Sequence, residues 1–227
     1  MKLMLSTIPS NEEIKYFCSI KTNFDDYIKT GDVLLFYENF LEQKNREELI
    51  NSHCFENVFN FHYSLLSTES NTNPSYLQDV GVLYFYGKVV KKDYLMAKKF
   101  LELAFKQNKR YGSYLLGKMY FEGLGVEKSY LIAKEYLEIS SSFNDSDALD
   151  NLGLIYQYGF GVERDYLKAE NYFKLAISNE YDMAYIHLGL LYENVNKDYN
   201  KARECYIEST SRGLVNGYFN LGNLYAE

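Results

Sequence analysis

The chain has 227 residues, of which 47% are apolar, and a mean hydropathy of -0.35, which excludes an intrinsically disordered chain and favours a folded, soluble one. Its formal charge is -7, about -5 before residue 75 and -2 after it, so neither part has the lysine and arginine excess that a nucleic-acid partner requires. With only two prolines, the sequence leaves long uninterrupted stretches for helices and favours an all-α fold over a sandwich or barrel.

Residues 1–74 contain no copy of the repeat that follows, and we predict a helical N-terminal segment that caps it. Ser10 to Glu13 form a capping box that opens a short helix, and further helices are predicted at about 25–43 and 45–66. A separate domain is the alternative. The start, MKLMLSTIPSNEE, has too short an apolar run for a signal peptide or a membrane span, so we expect a cytoplasmic location and no membrane partner.

The cysteines and histidines offer little from which to build a catalytic site. Cys18, Cys54 and Cys205 form no CxxC pair, and their odd number argues against a disulfide framework. His53 and Cys54 could pair as base and nucleophile, but neighbouring residues on a helix point about 100° apart, which favours a packed or surface role. We expect no catalytic residue, no cofactor and no metal site, because zinc-type spacing, a P-loop and a nucleophile elbow are absent from the sequence.

A repeat begins at about residue 75. A glycine followed three residues later by tyrosine recurs at steps of 36, 36, 36 and 33 residues, as Gly81/Tyr84, Gly117/Tyr120, Gly153/Tyr156, Gly189/Tyr192 and Gly222/Tyr225. An alanine recurs in phase with them, at Ala97, Ala133, Ala169 and Ala202. The residues around each glycine and each alanine fall on one helical face, so each unit is predicted to contain two amphipathic helices, A with the glycine and B with the alanine.

The periodicity sets the predicted boundaries. Helix A is predicted near 75–86, 111–122, 147–158, 183–193 and 216–225, and helix B near 93–107, 129–142, 165–178 and 198–211. The units then span about 75–110, 111–146, 147–182 and 183–215, with a partial unit at 216–227.

Two further details of each unit follow from its chemistry. Glycine inside a helix costs about 1 kcal/mol relative to alanine. Its recurrence in helix A indicates a close approach of helix B, with Ala97 or Ala104 meeting the bare glycine surface. In the loops GLGVEKSY and GFGVERDY, the first glycine is predicted to end helix A in a left-handed conformation, while Ser129 or Asp165 caps helix B.

Together these motifs resemble those of the Sel1-like repeat family, a relative of the tetratricopeptide repeat. The shared pattern is Ala-x-x-x-Leu-Gly-x-x-Tyr, then Gly-x-Gly-Val, Asp and Lys-Ala, and it extends over about residues 75 to 227. The resemblance implies an all-α, right-handed α-α superhelix whose concave wall is formed by the A helices. It also implies a non-catalytic scaffold or adaptor that binds a protein or peptide along that wall.

By resemblance to tetratricopeptide repeats, the residues three before, one after and four after each repeated glycine face the partner. These candidates are Gln78, Val82 and Phe85; Tyr114, Lys118 and Phe121; Asp150, Leu154 and Gln157; Ile186, Leu190 and Glu193; then Phe219 and Asn223. Val82, Leu154 and Leu190 could equally pack between adjacent A helices. A partner-facing role is favoured for Phe85, Tyr114, Lys118 and Phe121, because exposed aromatic residues near a charge commonly anchor interfaces.

Three functions therefore stay open at the level of the sequence. The favoured one is the adaptor; the alternatives are a structural or self-associating module of a larger protein and, ranked last, a hydrolase-type enzyme. The final segment GYFNLGNLYAE carries Leu221, Gly222 and Tyr225 with no helix B after them, so we expect it to expose an apolar flank. Either the chain belongs to a longer repeat protein, or that end is used for self-association or for a partner.

Overall fold

A computed structural model describes residues 74–87 and 91–226, and every structural statement below concerns these residues. They form nine α-helices and one short π-helix and contain no strand. The predictions for residues 1–73, including the capping box at Ser10, the helices at 25–43 and 45–66 and the His53–Cys54 pair, lie outside the described residues. The chain divides into two compact units between Tyr111 and Gly112, and each unit is described by itself.

The helices alternate between type A and type B, which confirms the predicted all-α helix-pair architecture. Unit 1 contains α1 (Pro74–Tyr86) and α2 (Tyr94–Gln107). Unit 2 contains α3 (Ser113–Glu122), α4 (Tyr130–Ser141), α5 (Ser146–Tyr158), α6 (Tyr166–Ser178), α7 (Met183–Leu191), the π-helix (Tyr192–Asn196), α8 (Tyr199–Ser211) and α9 (Val215–Ala226). The odd-numbered helices are the A helices, and all the bounds lie within two residues of those predicted.

The loops between helices A and B follow the predicted turn chemistry. Gly123 and Gly159 end α3 and α5 with φ of 78° and 72°, the left-handed region that a residue without a β-carbon adopts easily. At the start of α6, the Asp165 carboxylate accepts a hydrogen bond from the backbone N–H of Lys168 at 2.9 Å. The Ser129 hydroxyl accepts the corresponding bond at the start of α4, so both predicted caps are confirmed.

Each repeated tyrosine also closes the loop that follows it. Its carbonyl oxygen accepts the N–H of the residue that caps helix B, in the pairs Tyr84–Asp93, Tyr120–Ser129, Tyr156–Asp165 and Tyr192–Asp198, at 2.9 to 3.0 Å. The fourth loop is three residues shorter than the second and third, and there helix A continues as the π-helix, which ends at Lys197 in the left-handed region with φ of 54°. The wider turn of the π-helix lets the shorter loop make the same closing bond.

The repeated glycine brings the two helices of each pair close together. The bulky side chain four residues after each repeated alanine lies on the glycine, in the pairs Gly81–Leu101, Gly117–Leu137, Gly153–Phe173 and Gly189–Tyr206. A β-carbon added at Gly81 would lie 2.7 Å from Leu101 Cγ, too close for any side chain. The expected contact was therefore wrong in detail: Ala97 contributes its carbonyl oxygen, and the larger side chain fills the space that the glycine leaves.

The core of unit 2 forms between successive helices of the repeat. One cluster joins Ala169 and Phe173 of α6 to Leu188 of α7 and to Ala202 and Tyr206 of α8. It therefore packs α7 between α8, the B helix of its own pair, and α6, the B helix of the preceding pair. No helix among the described residues is long and apolar enough to cross a membrane.

Candidate partner-binding face

The A helices of unit 2 are joined side by side by two hydrogen bonds. The Tyr114 hydroxyl of α3 donates to Asp147 Oδ1 of α5 at 3.5 Å, and His187 Nδ1 of α7 lies 2.7 Å from Asp150 Oδ1 of α5. We call the surface of α3, α5 and α7 that carries the predicted candidate positions, together with Asp147, the helix-A face. Its order, α3 then α5 then α7, follows the order of the repeats.

The predicted partner-facing residues differ widely in exposure. Four are buried: Phe85 at 4%, Asp150 at 2%, Gln157 at 6% and Ile186 at 4% of their full exposure. Gln78, Val82, Tyr114, Lys118, Phe121, Leu154, Leu190 and Glu193 are half-buried, and only Phe219 and Asn223, on α9, are exposed. Equivalent positions of the repeat therefore differ in how much accessible surface they present to a partner. Binding by these residues remains a prediction.

The expectation that Phe85 is an exposed aromatic side chain is wrong. Its ring meets the Tyr94 ring edge to face, with centroids 5.5 Å apart, at the junction between α1 and α2. Phe121 has an equivalent contact with Tyr130 at 5.4 Å, and it also touches the Phe160 ring of the next repeat at 5.6 Å. Both aromatic rings serve the packing of their own unit, and only Phe121 keeps a partly exposed surface.

Leu154 and Leu190 were expected either to face a partner or to pack between A helices. Both side chains are half-buried and pack against the core cluster around Phe173, Leu188 and Tyr206. The contacts therefore support a packing role, while the exposed fraction of each leucine still adds apolar area to the helix-A face.

Two charged candidates have partners within unit 2. Glu193 accepts a hydrogen bond from the Tyr206 hydroxyl at 2.5 Å, and burial, followed by this hydrogen bond, raises the pKa of Tyr206 well above its ordinary value. Lys118 lies 4.0 Å from Glu122, one turn further along α3. An ion pair of this kind on a helix surface contributes little to stability, so Lys118 can turn towards a partner at little cost.

Gln157 is the polar residue of the face whose bonding is incomplete. The side chain is almost fully buried, and its Oε1 atom has no hydrogen-bond donor among the described residues. More than nine-tenths of buried polar groups in folded proteins have a partner, so this enclosed acceptor is an exception within α5.

Asp147 was not among the predicted residues. It stands three residues before Asp150 on the same side of α5, and burial, followed by the negative charge of Asp145, raises its pKa above the ordinary value. His187 was not among the predicted partner-facing residues either. A signal for Asp147 was present, since it precedes the candidate Asp150 by nearly one helical turn.

The candidate face contains no constellation that suggests a reaction. Within residues 74–87 and 91–226, no group of three or more histidine, cysteine, aspartate and glutamate side chains could hold a metal ion. Cys205, the free cysteine of α8, is buried, and burial raises the pKa of its thiol to about 12, so the reactive thiolate is scarce at neutral pH.

The fold defines a class of protein, the all-α helix-pair repeat proteins. The Sel1 repeat pattern matches residues 76–109, 111–142, 146–181 and 180–214, more than half of the chain. The chain therefore belongs to the Sel1 repeat family, whose members are typically protein-interaction scaffolds. The partial unit predicted at 216–227 lies beyond the matched residues.

Solved structures agree with this assignment. A Sel1 repeat protein from Oxalobacter formigenes shares 29% identity at a TM-score of 0.65, with 79% of this chain and 74% of that chain covered. A protective antigen present in uropathogenic Escherichia coli strains, which displays an SLR fold, shares 23% identity at a TM-score of 0.60. That match covers 95% of this chain but 50% of the antigen, so it shows a likeness of fold alone. None of the curated proteins matches the chain.

Proposed function

We propose that this chain is a non-catalytic scaffold that binds a segment of another protein along the helix-A face of unit 2. The observation that carries the proposal is the repeat phase of the face, in which α3, α5 and α7 place the same positions in succession and are joined by the Tyr114–Asp147 and His187–Asp150 bonds. Membership of a family of protein-interaction scaffolds supports it. A cytoplasmic location stays part of the proposal.

The test compares two lysines that differ in their position. Lys118 on helix A pairs with Glu122, and Lys174 on helix B pairs with Glu170 at 2.6 Å, each four residues apart on one helix. The immobilised 227-residue chain is used to capture proteins, and mass spectrometry quantifies each captured protein for Lys118→Glu and for Lys174→Glu. Both variants change the charge by the same amount, so only the location of the change differs.

We expect Lys118→Glu to change the retained amount of a specific partner by at least about threefold, in either direction, while Lys174→Glu leaves it unchanged. Circular dichroism of each variant verifies that the helices are intact. Equal effects of the two substitutions on every captured protein would remove the helix-A face from the binding surface and refute the proposal.

A second candidate function, self-association through α9, rests on its own observation. Val215, Tyr218, Phe219 and Tyr225 of this helix are 61% to 78% exposed, and no packing neighbour among residues 74–87 and 91–226 lies within 4 Å of a β-carbon placed at Gly222. The four other repeated glycines of helix A are each covered by a bulky side chain of helix B. The apolar flank of α9 is therefore free to contact a second copy of the chain.

A further inference from the structure

Helix α9 has two apolar sides, and one of them is uncovered among the described residues. Leu221 and Leu224 pack against the core cluster of the preceding helix pairs. The uncovered side carries Gly222, where an added β-carbon meets no neighbour within 4 Å in the described part of the chain. In the preceding A helices the glycine of the same register is covered by a bulky side chain, as the Phe173 ring covers Gly153. Gly222 therefore leaves open a site that the other repeats fill with a large side chain.

The exposed residues of α9 are arranged symmetrically about the middle of the helix, between residues 220 and 221. With about 100° between successive residues, they form three adjoining stripes on one side of the helix. The central stripe contains Val215, Phe219, Gly222 and Ala226, one edge contains Tyr218 and Tyr225, and the other edge contains Asn216 and Asn223. A two-fold rotation that reverses the helix exchanges the members of each stripe, so this surface matches a second copy of itself in position.

We infer that two copies of the chain pair through antiparallel α9 helices, with the Phe219 ring of each copy seated on Gly222 of the other. In this register Val215 lies at the same height as Ala226 of the second copy. The tyrosine edges of the two helices meet, and so do the asparagine edges. The inference rests on self-association through α9, the second candidate function, and gives that contact its direction and its paired residues.

The composition of α9 favours a second copy over an unrelated partner. The helix, VNGYFNLGNLYA, contains no charged residue, so two copies of a chain with a formal charge of -7 can meet along it without a like-charge pair on the helix itself. One and the same helix also carries the open glycine site and, three residues before it, the ring that fills such a site. A two-fold pair therefore fills both glycine sites with two identical contacts.

The exposed area of α9 sets the strength of the contact. Phe219 and Tyr225 are each 67% exposed and Tyr218 is 61% exposed. A fully buried aromatic side chain covers about 150–250 Å², so these three rings offer roughly 400 Å² in each copy. With Val215, which is 78% exposed, the pair buries on the order of 1,000 Å², the lower limit for a specific interface. We therefore expect a weak, reversible dimer with a dissociation constant in the micromolar range.

The first experiment fills the glycine site and measures the dissociation constant of the full chain by sedimentation over a concentration series. Gly222→Leu should raise that constant at least about tenfold, because the new side chain occupies the space of the Phe219 ring of the second copy. Asn171→Leu adds the same side chain to the exposed surface of α6 and should leave the constant within about twofold. Circular dichroism of both variants at low concentration should show unchanged helices, because Gly222 has room for a side chain in the described part of the chain.

The second experiment tests the direction of the two helices. The variants Val215→Cys and Ala226→Cys are mixed and oxidised, and mass spectrometry identifies the disulfide-linked peptides. In the antiparallel pair the two new cysteines face each other, whereas equal positions of the two copies lie about 16 Å apart along the helix, at roughly 1.5 Å per residue. A disulfide needs Cα atoms within about 7 Å, so the mixed disulfide should exceed both homodisulfides several-fold.

Each experiment has a result that overturns the inference. An added leucine strengthens a general apolar association, so a Gly222→Leu variant that dimerises as tightly as the wild type or more tightly contradicts the seating of Phe219. Homodisulfides in excess of the mixed disulfide contradict the antiparallel direction. In either case self-association through α9 stands and only its geometry fails. A wild-type chain that is monomeric at every concentration removes both, whereas the scaffold function is tested separately by Lys118→Glu and Lys174→Glu.

Discussion

His187 Nδ1 lies 2.7 Å from Asp150 Oδ1 and joins the A helices of two successive repeats. The Asp150 side chain is 3% exposed and that of His187 is 23% exposed, so the imidazole covers a carboxylate that has almost no contact with water. A carboxylate oxygen accepts hydrogen bonds, so the imidazole donates in the tautomer that carries the hydrogen on Nδ1. Asp150 stands three residues before Gly153 and His187 two before Gly189. The same two positions at the preceding junction hold Tyr114 and Asn151, so the aspartate–histidine pair is specific to this junction.

Removal of the imidazole should therefore destabilise unit 2. His187→Ala leaves a buried carboxylate without its donor, and we expect a loss of about 1–3 kcal/mol in the free energy of unfolding, measured by urea denaturation. His187→Gln keeps an N–H donor on a flexible side chain and should recover part of the loss. Equal losses in the two variants would show that the hydrogen bond contributes little to stability. The ring would then stabilise the fold by packing against Phe173, 5.8 Å away between centroids.

The pKa of Asp147 gives a stability change with a definite sign. Its folded-state pKa lies above the ordinary 3.8, so the folded protein holds this proton more tightly than the unfolded chain does. The free energy of unfolding therefore falls as the pH rises from the unfolded-state pKa to the folded-state pKa. Asp147→Asn removes the penalty and should raise the melting temperature at pH 7 by about 1–3 °C.

Well below pH 3.8 the carboxyl is protonated in both the folded and the unfolded state, and the difference between Asp147→Asn and the wild type should vanish there. Thermal melts of the two proteins across the pH range measure it. An advantage of the variant that persists undiminished in acid would assign the effect to shape or hydrogen bonding, not to charge.

The glycines of helix A should respond in opposite ways to the same substitution. Gly153→Ala places a β-carbon against the Phe173 ring and should destabilise the protein by about 1–3 kcal/mol. Gly222→Ala meets no neighbour within 4 Å in the described part of the chain and should stabilise the protein by up to about 1 kcal/mol, because alanine favours a helix interior. Denaturant unfolding of both variants measures the difference, and a loss in each would mean that α9 is covered in solution.

Phe85 should behave as a core residue. Because its ring is 4% exposed, Phe85→Ala is expected to lower the free energy of unfolding by about 3–5 kcal/mol, the range for truncation of a buried aromatic side chain. Phe121→Ala should lower the free energy of unfolding by less, because the Phe121 ring is half-buried. A Phe85→Ala variant that melts with the wild type would restore the expectation that this side chain faces a partner.

The sequence was sufficient to predict the helix pairs, but it was insufficient to predict which side chains of the helix-A face are exposed. The glycine, tyrosine and alanine registers predicted every described helix, because each register follows from packing that repeats. Phe85, Phe121, Gln157 and Glu193 occupy equivalent positions, yet two are buried and two are half-buried. Their exposure depends on neighbours that do not repeat, such as Phe160 beside Phe121 and Tyr206 beside Glu193.

The outer flank of α9 is apolar. Phe219 and Tyr225 are each 67% exposed, while Leu221 and Leu224 pack against the core cluster of the preceding helix pairs. One side of α9 is thus packed against the core. The exposed aromatic side chains of its other side can contact a second copy of the chain. We expect the sedimentation coefficient of the 227-residue chain to rise with protein concentration.

The double variant Phe219→Ser with Tyr225→Ser should abolish that rise without loss of helical signal, because both side chains lie outside the core. Leu167→Ser is the matched control, since Leu167 on α6 is 70% exposed and apolar but lies on a B helix that an A helix already covers. It should sediment like the wild type. A wild-type chain that stays monomeric at every concentration would show that α9 needs no cover, and an equal effect of the control would trace the association to general surface apolarity.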